Sequence, residues 1–391
     1  MVRAMPPTMP PEYAEREHTY FKHRVLSEYL IRYGIKLGSL ARGRRVRLVY
    51  CDVFAGPWRS RDQDRRDTSV YLGLTAMREA RQHWRKKGVD FALAAAFVEK
   101  DPASFADLKE LCGEFSADFD ELRPLLGRFD ERAAEVHSII GSDPAFILVD
   151  PLGWKDAGMQ HVELLSSRPR RDVMIRVPAH AQRFHKRLLR FLGRRDEDIP
   201  AGMAQEELIE VYCDHLRRYC GLNYAAEIAV PRGDQEALAC WLVVGGRHPQ
   251  VLNVFRDVER KVLGSEALDI REEKRQGDQL SFFAPSETRR FDSFYEKRWR
   301  ESLAVIPDEV VDLLRERGRI AYRDLWPRML ERHHVVEREL ARIVKAMVPE
   351  RVRVPNLNRE RAIKDHHILT PAPQPREARR APEAEGGRIA S

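Results

Sequence analysis

No two cysteines in this chain are spaced to clasp a metal. Cys51, Cys112, Cys213, Cys220 and Cys240 stand apart with no Cys-x-x-Cys among them, so neither a zinc site nor a disulfide framework is implied. They read as the reduced thiols of a cytoplasmic protein. Long apolar runs are missing as well. The stretch 91–98 is among the longest and falls far short of the roughly 20 residues that span a bilayer. The amino terminus is rich in proline and methionine and has no apolar core of the signal-peptide kind. Nor is there a strong charge imbalance: a formal charge of +7 and a pI near 9.2 are compatible with nucleic acid but not diagnostic of it. What remains, 43% hydrophobic and 33% charged residues over 391 positions, describes a globular chain long enough for two domains.

The informative text begins at 47–58. Leu48, Val49, Tyr50 and Val53 are apolar without polar alternation, which predicts a strand over 48–53 covered on both faces. Asp52 stands at its carboxyl end, followed by Phe54 and the small Ala55 and Gly56. An acid before a small-residue turn is where open α/β sheets hold the adenosyl part of a cofactor. A second buried strand ends on Glu99, placed to accept ribose hydroxyls. A third, from Ala145, ends in Asp150-Pro151 and is followed by Gly153 and Trp154. Three strands thus finish on a carboxylate at one sheet edge. The competing reading of each is structural: a turn that packs a helix on a sheet.

Asp-x-Phe-Ala-Gly at 52–56, Glu99 and Asp-Pro-x-Gly at 150–153 resemble motifs of S-adenosylmethionine-dependent methyltransferases. With the helix-like text at 21–30 and Val-Val-Gly-Gly-Arg-His-Pro at 243–249, the chain is similar over about 18–370 to the three-Cys-motif partner protein family (TcmP). The resemblance implies a Rossmann-like, mostly parallel sheet with an antiparallel edge, S-adenosylmethionine as cofactor, and a three-Cys-motif protein as partner. Where the family commonly has a second glycine, this chain has Trp58, whose side chain would narrow a cofactor pocket. Asp150 to Trp154 also resemble the Asp-Pro-Pro-Tyr motif of amino-methyltransferases. They resemble, too, the Asp-Pro-Phe-Gly turns of tRNA dimethylguanosine methyltransferases. By that likeness Asp150 and the Pro151 carbonyl would bind a nucleobase amine, with Trp154 stacking on the base.

The flanking text supplies the rest. Residues 1–17 read as a loose arm, 18–265 as the methyltransferase-type domain and 266–289 as a connector. Apolar residues at helical spacing predict an amphipathic helix over 18–37, with Lys22, His23, Arg24 and Arg32 on its outer side. The polar loop 59–68 reads as a solvated surface loop or a lid. Asp101 and Pro102 open a helix as N-cap and first-turn proline. A strand over 122–126 leads to Phe129 and Asp130, which would border an adenine. Past a strand at 172–177, Arg176 and His180 replace the acids. A helix over 181–193 then sets Arg183, Lys186, Arg187 and Arg190 on one basic face, suited to a phosphate backbone or simply solvated. Strands over 225–230 and 237–244 with a short connection should pair antiparallel. Helices over 307–317, 322–330 and 335–347, then a hairpin at 351–369, predict a winged helix-turn-helix domain over 290–370. Arg338, Arg342 and Lys345 would lie on its third helix, facing DNA or a protein. Residues 371–391 read as a disordered tail. Three classes stay open: a nucleic-acid methyltransferase, an inactive methyltransferase-like partner protein, and a DNA-binding regulator.

Overall fold

The computed structural model describes residues 9–43, 45–56, 60–151, 158–179, 203–232, 238–267, 294–357 and 360–373. The chain divides into two units, 1–304 with 327–337 and 305–326 with 338–391. In the first unit α1 (Glu17–Gly38) precedes β1 (Arg47–Asp52), α2 (Ser69–Arg85), β2 (Ala92–Glu99) and α3 (Pro102–Glu114). Then come β3 (Glu121–Leu126), α4 (Phe129–Ile140), β4 (Ala145–Val149), α5 (Met159–Ser166) and β5 (Arg171–Pro178). The described part continues with α6 (Gln205–Tyr219), β6 (Tyr224–Pro231), β7 (Leu238–Gly246) and α7 (Gln250–Glu259).

The seven strands form one sheet in the order β3-β2-β1-β4-β5-β7-β6. β1 to β5 are parallel, and β7 runs antiparallel to both β5 and β6. This is a mostly parallel, Rossmann-like sheet with an antiparallel edge. Central strands are apolar along their length because helices cover both faces; β4 is buried at every position. β3 is the edge, and there Pro124 is tolerated because one side of the strand needs no donor. The order reverses at β1, which has β2 on one side and β4 on the other. Ligands of open α/β sheets bind at that reversal, beyond the carboxyl ends of the strands.

α1 is the element that completes this edge. Tyr29 and Tyr33 pack their rings on Phe146 of β4, at centroid distances of 5.3 and 5.9 Å. Gly34 lets α1 approach α2 closely, since a Cβ there would lie 2.5 Å from the Ala80 Cβ. The amphipathic helix expected over 18–37 is therefore present. Its outer side is not all solvent-facing, however: His23 is buried, and Lys22 turns into a cleft. All five cysteines are free and buried. Among the described residues no helix is long and apolar enough to cross a membrane.

In the carboxy-terminal region α8 (Phe294–Arg317), β8 (Ile320–Ala321), α9 (Tyr322–Arg332), α10 (Glu337–Ala346), β9 (Val352–Arg353) and β10 (Ile368–Pro371) follow one another. The strands form a three-stranded antiparallel sheet, β8-β10-β9. Within the second unit the Trp326 indole donates to Asp365 Oδ1 at 3.1 Å. The helix expected to begin at Pro307 starts thirteen residues earlier, leaving Pro307 inside it. A proline removes only one backbone hydrogen bond, and burial of Ile306 and Val310 beside it outweighs that loss. Residues 327–337 group with the first unit.

Candidate active site

A cleft of about 640 Å³ opens where β1, β2, β4 and β5 end, walled on one side by α1. That is the size of a small-molecule site. Three of its walls come from the expected strand ends, but the carboxylates divide the work differently.

Asp52 is fully buried behind the turn. Its Oδ1 accepts from the Phe54 amide at 3.0 Å and its Oδ2 from the Ser69 hydroxyl at 2.6 Å. Burial pushes the carboxyl up to about 6, against the lowering effect of those two hydrogen bonds. Asp52 thus ties the end of β1 to the first turn of α2. Ala55 is buried too, its amide donating to the Val98 carbonyl at 2.9 Å. Val53, Phe54 and Gly56 are the residues of this turn that line the cleft. The turn holds because Thr68 caps α2, accepting from the Tyr71 amide at 3.3 Å.

Glu99 does reach the cleft. Its Oε1 accepts from the Asp101 amide at 2.6 Å, and burial raises its carboxyl above the usual range. Asp101 caps α3, accepting from the Ser104 amide at 2.8 Å, as the Asp-Pro sequence predicts. Gly127 at φ +146° donates to the Glu99 carbonyl at 2.9 Å, which brings the end of β3 beside that of β2. Beyond it Phe129 is buried and meets Phe54 edge-on at 5.6 Å, forming an apolar wall. Asp130 points away: it is exposed and bound by the Arg128 guanidinium, at 3.0 and 3.3 Å, which holds its carboxyl below the usual range. A first-turn acid is drawn to an adjacent arginine more readily than against the apolar wall of Phe54 and Phe129.

Asp150 ends β4 and lines the cleft, but it is already engaged. Lys22 of α1 donates to its Oδ2, and Arg176 Nε of β5 lies 3.7 Å from its Oδ1. Arg176 also donates to the Pro151 carbonyl at 3.0 Å. Burial works to raise the Asp150 carboxyl, and the two cations more than reverse this and hold it low. Pro151 itself is buried. On the same side Arg16 pairs with Asp67 at 2.6 Å, and Asp67 also accepts from Ser60 at 2.5 Å. The end of the 59–68 loop is therefore built into the wall, with Asp67 and Thr68 buried, rather than solvated. His23 sits behind Lys22 with Nδ1 3.0 Å from the Tyr13 hydroxyl, and burial drives its imidazole down to about 3.

The sequence reading missed Lys22, Arg16, Asp67 and Ser69. Lys22 stood in the sequence only among the polar residues of the predicted first helix. Trp58, Trp154, His180, Arg183, Lys186, Arg187 and Arg190 lie outside the described residues. In the second unit Arg338, Arg342 and Lys345 are exposed on α10, and Lys345 donates to the Arg361 carbonyl.

No protein-family model matches the chain, and no curated protein is similar to it in sequence. Solved structures do match. One is a putative methyltransferase, yhhF, from Escherichia coli: 13% identical, covering 56% of this chain and 87% of that one, TM-score 0.25. Another is the O-methyltransferase TomG from Streptomyces achromogenes, in complex with S-adenosylmethionine: 12% identical, covering 55% and 79%, TM-score 0.28. A third is a putative class I S-adenosylmethionine-dependent methyltransferase from Listeria monocytogenes: 11% identical, covering 63% of each chain, TM-score 0.28.

Proposed function

We propose that the chain is an S-adenosylmethionine-dependent methyltransferase whose acceptor is a nucleobase amine of DNA or RNA. The observation that carries this is the place of Glu99. A buried carboxylate at the end of β2 opens into a cleft at the sheet's reversal point, opposite the Gly56 turn. In this reading Glu99 accepts the ribose hydroxyls, Phe54 and Phe129 flank the adenine, and Gly56 leaves room for the methionine part. The cofactor supplies an electrophilic methyl group. The chain's own work is to align the acceptor and keep its lone pair available. Asp150 is the acid nearest the acceptor side, and an amine N–H would donate to its Oδ1, beside the Oδ2 that holds the Lys22 ammonium. Calorimetric titration with S-adenosylhomocysteine tests this. Binding at micromolar to millimolar concentration is expected, and absence of any heat at millimolar ligand would sink the reading.

The three helices and small sheet of the carboxy-terminal region suit a winged helix-turn-helix, with Arg338 and Arg342 of α10 exposed for a phosphate backbone. A partner role beside a three-Cys-motif protein is compatible with the same architecture, and co-purification with such a protein tests it.

A further inference from the structure

We propose that Lys22 and Arg176, held in place by Asp150, form a subsite for one oxyanionic group of the acceptor, a phosphate or a carboxylate. This rests on the methyltransferase reading for what the acceptor is, but the subsite itself stands on charge and geometry. Two cations converge on a single carboxylate. One would suffice to neutralise Asp150, and the second leaves the group of three with a net positive charge at the cleft. Among the described residues the Lys22 ammonium is paired with Asp150 alone, so two of its three donors remain for a ligand. The Lys22 and Arg176 side chains keep 19% and 23% of their surface, enough for contact with a bound group. The residual field is positive. His18, one turn before Lys22 and also lining the cleft, is held below its usual range by burial and then by Lys22, Arg176 and Arg232.

Placement separates this end from the cofactor end. Glu99 terminates β2 and Asp150 follows β4, and the two strands flank β1. Their axes lie about 10 Å apart, twice the inter-strand spacing. Arg176, on β5, lies one strand further out. An oxyanion at Lys22 and Arg176 is thus kept clear of the Glu99 carboxylate. Asp150 is the positioning residue: it fixes both cations before the ligand arrives, which lowers the ordering cost of binding.

Inorganic phosphate is the probe, titrated into the full chain in phosphate-free buffer. Lys22→Met and Arg176→Met should each weaken binding about tenfold, the loss of one charge-assisted hydrogen bond. Lys22→Arg and Arg176→Lys keep the charge and should retain binding, which guards against a methionine variant that fails to fold. Asp150→Asn keeps a side-chain oxygen to orient Lys22 but removes the charge that competes with the ligand, and should tighten phosphate by a few-fold. A merely structural ion cluster predicts the opposite, a loss of stability with no gain in affinity. Lys100→Met alters a cation lining the cleft beside Glu99 and should leave phosphate unchanged; an equal loss there overturns the proposal. S-adenosylhomocysteine and 5′-methylthioadenosine separate the two sources of an oxyanion, since only the first carries a carboxylate. If Lys22→Met weakens the first and spares the second, the group is the cofactor's and the acceptor subsite is wrong. If neither adenosyl compound binds while phosphate behaves as expected, the cofactor reading fails and the oxyanion subsite stands.

Discussion

The Ser69 hydroxyl donates to the buried Asp52 Oδ2 at 2.6 Å, joining the end of β1 to the first turn of α2. The relationship makes Asp52 a brace for the turn and exposes it to pH. Its folded carboxyl lies up at about 6, above the unfolded value. Its favourable contribution is therefore full below about pH 4 and is lost as pH rises through about 6, at up to roughly 1.4 kcal/mol per unit. Asp52→Asn keeps an acceptor for the Phe54 amide and a donor for Ser69. Its thermal midpoint should gain on the wild type as pH goes from 5 to 8; parallel curves would show that Asp52 does not titrate in this window.

Glu259 has the opposite sign. It accepts from Arg256 at 2.7 Å and lies 2.7 Å from His334 Nδ1, all three buried. Burial works to raise its carboxyl, but His334 and Arg256 outweigh that and hold it down at about 2. Its contribution is present above about pH 4 and lost as pH falls through about 2. Glu259→Ala leaves the buried Arg256 guanidinium without its paired carboxylate and should cost about 3–5 kcal/mol in urea unfolding at pH 7. A cost under 1 kcal/mol, on the order of a surface pair, would mean that the network is hydrated.

Gly34→Ala sets two effects against each other. Alanine favours the helix by about 1 kcal/mol over glycine. The new Cβ would meet the Ala80 Cβ at 2.5 Å, a clash between two backbone-anchored atoms that no rotamer relieves. Overpacking of this kind costs about 1–3 kcal/mol, so a net loss in chemical denaturation is expected. A stabilised variant would show that α1 and α2 are less tightly apposed.

Glu99, read from the sequence as the ribose acceptor, reaches the cleft, whereas Asp130, read as bordering the adenine, is bound by Arg128. Glu99→Ala should weaken S-adenosylhomocysteine by about 1–3 kcal/mol, the loss of charge-assisted hydrogen bonds. Asp130→Ala should change calorimetric affinity little, because that carboxylate faces Arg128. Equal effects would misplace the adenine wall.

What was legible in the chain is what is local. Apolar runs announced the strands, and Asp101-Pro102 announced α3, because capping is settled within four residues. The antiparallel pair β6 and β7 followed from a connection too short for a crossover. Pairings across the fold were not legible. Lys22 and Asp150 meet from 128 positions apart, and nothing in either neighbourhood marks the other. Which way a strand-end acid turns was equally hidden. Asp52 and Glu99 both end strands before a turn, but a hydroxyl from the next helix draws one inward and a following amide leaves the other at the cleft.

The carboxy-terminal helices offer the last test. Arg338 and Arg342 sit one turn apart on α10, both exposed, so their guanidinium groups can reach adjacent phosphates of one strand. Each phosphate contact in duplex DNA contributes about 0.9 to the slope of log affinity against log salt, through released counterions. Replacing both arginines with alanine should flatten that slope by about two units and weaken binding alike for unrelated sequences. Lys345 is tied to the Arg361 carbonyl and should contribute less when replaced alone. Fluorescence anisotropy with a labelled duplex at a series of salt concentrations reads both quantities. A slope unchanged in the double variant, with binding intact, moves the nucleic-acid surface off α10. No binding at low salt removes DNA from the helix altogether, and its exposed arginines would then be free to meet a protein.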